Sequence, residues 1–122
     1  MAAPNLGNVT SIYGKTMGVS LGITTTTTIL TCPANKVLKI NSIIVPNIDG
    51  TNNTDVTVYC WNNSSTNRFA LASTITVPAD STLVVISKDT SIYLEESDRI
   101  EAGATATGDA TIIISYEEMD DA

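Results

Sequence analysis

The side chains best suited to chemistry in this chain are thirteen carboxylates and two cysteines. Histidine is absent, which removes the commonest general base and the commonest metal ligand together. Adjacent acids occur at Glu95/Glu96 and Glu117/Glu118. Glycoside-type acid–base work needs two carboxyls facing each other across a pocket, whereas neighbours on a strand point to opposite faces. Asp49, Asp55, Asp98 and Asp109 sit among turn-forming residues. Calcium favours such oxygen-rich loops, but none has the spacing of a dedicated calcium loop, so they read as solvated turn residues. Cys32 and Cys60 have no base to activate a thiolate, and free, buried thiols are the expectation, with a disulfide between them as the alternative. Asn-x-Ser/Thr triplets at Asn8, Asn52, Asn62 and Asn63 read as by-products of polar turns. There is no glycine loop for phosphate and no Cys/His cluster for a metal. The expectation is a non-enzyme without cofactor or metal.

Charge narrows the partners. The formal net charge is −7, and nucleic-acid binding needs a basic footprint. Docking on anionic lipid is disfavoured for the same reason. The first residues, MAAPNLGNVTS, lack both a basic and an apolar segment, so no signal peptide is visible. No apolar run approaches the ~20 residues of a membrane span. The expectation is synthesis inside a cell, with a soluble surface or a basic protein partner.

The elements that must position these residues are strands. The chain has 122 residues, the size of one domain, able to hide roughly two-thirds of its unfolded surface. Only 16% of residues are charged, against about 25% usually, and Thr, Ile and Val suit a pleated surface. Met1–Thr10 reads as an extended arm, with the sandwich domain over 11–117 and an acidic tail over 118–122. Strands are expected over Ser11–Gly22, Ile23–Cys32, Lys36–Pro46, Val56–Asn62, Arg68–Val77, Thr82–Ser87, Ser91–Leu94, Arg99–Ala104 and Ala110–Tyr116. CPAN (Cys32–Asn35) and VPAD (Val77–Asp80) are tight turns of similar shape. In Lys36–Pro46, Leu38, Ile40 and Ile44 share one face, while Ile43 and Val45 fall with Lys39 and Asn41 on the other. That end is apolar on both sides, which implies full burial or a subunit contact. Leu83–Ile86 is continuously apolar and reads as central or buried on both faces. Val56, Val58 and Cys60 point inward, and Tyr59 and Trp61 outward. About eight short strands without a helix predict an all-β, single-domain antiparallel sandwich, jelly-roll-like, with an immunoglobulin-like sandwich as the alternative.

The order of motifs carries more than any one of them. TILTCPANKVLKINSIIVPNIDGTNNTD, then VPADSTLVVISKD, SIYLEESDRIEA and IIISYEEM together resemble small virion proteins of tailed phages, especially marine and cyanobacterial ones. One departure is Ser97, where the resemblance leads one to expect glycine after the paired glutamates. A serine there suggests a turn that avoids positive φ. The resemblance implies a capsid decoration or cement protein on the virion surface, bound to the major capsid protein as a homotrimer. A tail, neck or fibre-associated module that binds a host surface or carbohydrate is the alternative. Ile43, Val45, Tyr59, Trp61 and Ile113 are the expected subunit or capsid contacts.

Overall fold

A computed structural model describes residue 7 and residues 9–120. The expected arm therefore lies largely outside the described residues. Nine strands follow in order: β1 (Ser11–Ser20), β2 (Thr28–Thr31), β3 (Lys36–Pro46), β4 (Thr54–Asn62), β5 (Asn67–Val77), β6 (Thr82–Ile86), β7 (Ile92–Leu94), β8 (Arg99–Ala104) and β9 (Thr111–Asp120). One sheet has the order β1-β9-β3-β6, with β7 also on β3; the other has the order β2-β8-β4-β5. All the pairings are antiparallel. β6 and β7 continue one line along β3, interrupted by a 3-10 turn at Lys88–Thr90. Counting them as one strand gives eight, arranged as two interlocked Greek keys: a jelly roll.

The core lies between the sheets. Leu38, Ile40, Ile43, Val45, Ile86, Leu94, Ile112 and Ile114 come from one side, and Val56, Val58, Ile100, Ala102 and Ala104 from the other. Each buried branched aliphatic contributes about 1.5–3 kcal/mol.

β3 answers the question posed by its two apolar faces. Its register against β9 passes from Ile40↔Tyr116 to Ser42↔Ser115. Asn41 is thus an extra residue, and a bulge reverses the alternation beyond it. Leu38 and Ile40 before the bulge, and Ile43 and Val45 after it, all face inward with no exposed surface. The Asn41 side chain donates to Glu117 Oε1 at 3.1 Å, tying down the bulge. Ile43 and Val45 are therefore core residues of one subunit, which corrects their reading as subunit contacts.

Other expectations shift for equally local reasons. Thr24–Thr27 is a turn, closed by the Thr27 N–H and hydroxyl, which both donate to the Thr24 carbonyl. This turn crosses Gly103 so closely that a Cβ there would lie 2.7 Å from the Thr24 carbonyl oxygen and Thr25 Cα. β6 lies at a sheet edge and not at its centre; a register shift opposite Ile43/Ile44 turns Ile86 and Leu83 inward and leaves Val84 exposed. Of the expected acidic tail over 118–122, residues 118–120 belong to β9, and 121–122 lie outside the described residues. The CPAN and VPAD turns are alike: Asn35 and Asp80 end them at φ +60° and +58°. Ser97 also has positive φ, at +69°, against the expectation that serine would avoid it.

Candidate interaction surfaces

Tyr59 and Trp61 do point outward, onto the outer face of the second sheet. There the rung Thr31–Arg99–Trp61–Arg68 lies beside the rung Thr28–Glu101–Tyr59–Ala70. The chain's two arginines flank the indole, with guanidinium carbons 5.2 Å (Arg68) and 4.6 Å (Arg99) from its ring centre. Arg68 also lies 5.6 Å from the Tyr59 ring. Such stacking is worth about 0.5–2 kcal/mol per pair, depending on desolvation. Beneath them Glu101 is 1% exposed. Its Oε1 accepts from Arg68 Nε at 2.5 Å and its Oε2 from Arg99 Nε at 2.8 Å. Burial pushes the Glu101 carboxyl up, but the hydrogen bonds and charges of Arg68 and Arg99 outweigh it and hold the carboxyl below its ordinary value. Glu101 is thus a fixed anion, poised for structure and not for proton transfer. Trp61 Nε1 is buried without a hydrogen-bond partner. Within one subunit Trp61 is already half-buried, between the two guanidinium groups.

The outer face of the first sheet carries an apolar row. Gly18, Ile113, Ile44 and Val84 are consecutive neighbours across β1, β9, β3 and β6. Ile113 is half-buried and Val84 is 58% exposed. Of the five contact residues expected from sequence, Ile113 lies on this face, Tyr59 and Trp61 lie on the opposite face of the molecule, and Ile43 and Val45 lie between the sheets.

The sheet edges differ sharply. β2 has four residues and a register shift. β5 has two register shifts, with Thr74 at φ +50° donating its N–H to Thr57 Oγ1. β6 has five residues, one shift, and the 3-10 turn after it. Short length, bulges and breaks are the ordinary means of blunting an edge. β1 has none of them: ten consecutive residues pair with β9 without a shift. It carries Ile12, Tyr13 and Val19, all well exposed.

Several other polar groups are committed locally. Glu117 and Glu118 face opposite sides as expected, Glu117 to Asn41 and Glu118 to Lys15 at 3.2 Å. Lys36 pairs with Asp120. Asp98, buried, accepts from the N–H groups of Glu95 (3.0 Å) and Asn63 (2.8 Å), tying two turns together. Asp49 is held below its ordinary value by the N–H groups of Thr51 and Asn52. Both cysteines are free. Burial pushes the Cys32 thiol up to about 11 and raises that of Cys60. Among the described residues, no group of His, Cys, Asp and Glu side chains could hold a metal ion.

The sequence reading placed Tyr59 and Trp61 outward but missed the arginine–glutamate cluster. The signal was parity, since Tyr59, Trp61, Arg99 and Glu101 occupy alternate positions of two strands that proved to be neighbours.

No protein-family model matches the chain, and no curated protein matches it in sequence. In structure it is similar to a subunit of the Bacillus endospore appendages, a family of disulfide-linked pili. The TM-score is 0.56 at 15% identity, over 100% of this chain and 98% of that one. Likeness at that identity establishes the shared fold.

Proposed function

We propose that this chain is a virion structural protein, a decoration subunit that stabilises the head lattice of a tailed phage through contacts with the major capsid protein. The observation that carries the reading is the division of the surface. The buried carboxylate Glu101 and both arginines are tied to one another, while apolar side chains stand exposed on a straight strand edge and on one sheet face. The order of motifs supports the phage assignment. The gain would be added buried interface, of which a standard contact has roughly 1,600 Å². Because Ile43 and Val45 are internal, the residue-level ground for a threefold contact is reduced to Tyr59, Trp61 and Ile113. The test is depletion and add-back: particles stripped of the subunit lose heat resistance and regain it with purified protein. Particles indifferent to its removal would sink the decoration role.

A filament or tail-fibre subunit is the second reading, favoured by the whole-length likeness to a pilus protein. Covalent linkage through thiols fits this chain poorly, since Cys32 is buried and both thiols are held protonated. Negative-stain microscopy of the purified chain separates the readings: filaments support the second and discrete particles the first.

A further inference from the structure

We propose that β1 is a self-association edge, and that two copies join through antiparallel β1–β1 pairing about a twofold axis to make one continuous sheet. The contrast with the other three edges motivates this. Each of those is blunted, while β1 is straight, ten residues long and regularly paired on one side only among the described residues. Its one charged side chain, Lys15, is already engaged by Glu118.

The register can be worked out. Leu21 N–H donates to the Ala110 carbonyl at 2.8 Å, and these residues oppose each other when the Ser20↔Thr111 pairing is extended by one. Odd-numbered residues of β1 therefore bond to β9, and even-numbered ones turn their N–H and C=O groups to the open side. A twofold axis normal to the sheet keeps faces matched, so even residues must oppose even residues. Two long registers satisfy this. One places Lys15 against its own copy at a non-hydrogen-bonded position, where side chains are closest, and is disfavoured by like charge. The other centres Thr16 on Thr16, places Lys15 against Met17 and Gly14 against Gly18, and sets Tyr13 against Val19 twice. Thr–Thr and aromatic–β-branched pairs are both favourable across strands. The contact is isologous, consumes the open edge of both copies, and closes at two. It is independent of which particle holds the subunit.

The experiment uses the purified full-length chain in reducing buffer at micromolar concentration. Light scattering should give twice the 12.9 kDa of one chain. Thr16→Pro removes an outward N–H and spares the bonds to β9; its mass should fall to that of one chain with the circular dichroism spectrum retained. As an independent measure, Thr16→Cys should form a disulfide-linked dimer rapidly under mild oxidant, since directly opposed residues lie within bridging range, while Lys15→Cys should cross-link far more slowly. A single-chain mass for the native protein, a dimer that survives in folded Thr16→Pro, or no faster cross-linking by Thr16→Cys than by Lys15→Cys would each overturn the proposal.

Discussion

Replacing Glu101 with glutamine isolates the contribution of the buried anion. The substitution keeps the shape and one acceptor oxygen, but removes the charge and turns an amide NH₂ toward an arginine N–H. Truncating one member of a fully buried ion pair costs about 3–5 kcal/mol, whereas exposed pairs are worth about 0–1 kcal/mol. Here the carboxylate is 1% exposed but the arginine side chains are 33% and 30% exposed, so they can rehydrate. A loss of about 2–3 kcal/mol follows. At roughly 3–5 °C per kcal/mol for a chain of this size, the Tm falls by about 6–15 °C. The pH dependence has a defined sign. The folded carboxyl lies below its ordinary value of 4.5, so its contribution is fully present above pH 4.5 and is lost as pH falls through the folded value. The gap between wild type and Glu101→Gln should therefore be widest near neutrality and close on acidification. Urea melts from pH 7 to pH 3 measure both features. A gap below about 0.5 kcal/mol at pH 7, the range of ordinary surface substitutions, or one that stays constant to pH 3, would refute the fixed-anion account.

Three further predictions rest on single positions. Ser97→Gly should raise stability by up to about 1 kcal/mol, because serine at φ +69° bears the left-handed penalty that glycine avoids; denaturant melts check it. Gly103→Ala should cost about 1–3 kcal/mol by the same measurement, since its methyl group meets backbone at 2.7 Å and the Thr24–Thr27 turn must move. Cys32 and Cys60 should react with a thiol reagent at pH 8 only slowly in the native chain and stoichiometrically in denaturant, because burial favours the protonated thiols.

Much of the fold was legible because most strands are bounded by turn chemistry and alternate cleanly, as in Val56–Cys60. Errors came where one residue changed the phase. Asn41 looks like any polar strand residue, yet its bulge moves Ile43 and Val45 from one face to the other. The continuous run Leu83–Ile86 fits a central strand as well as a bulged edge, and only the neighbouring strands decide. The threonine run has β propensity throughout, but its first half is held by a turn over Gly103, a contact distant in sequence. Nothing local marks Glu101 until β8 is placed beside β4, which carries β5 on its other side. Its burial is a product of topology, which local pattern does not carry.

The claim that this jelly roll is a structural part of a virion is tested most directly by counting copies in purified phage particles with quantitative mass spectrometry. A lattice repeats its contact at every equivalent position, so a decoration role predicts copies on the order of hundreds per particle. Tens or fewer would move the subunit to the tail or neck, and its absence from particles would contradict the claim outright.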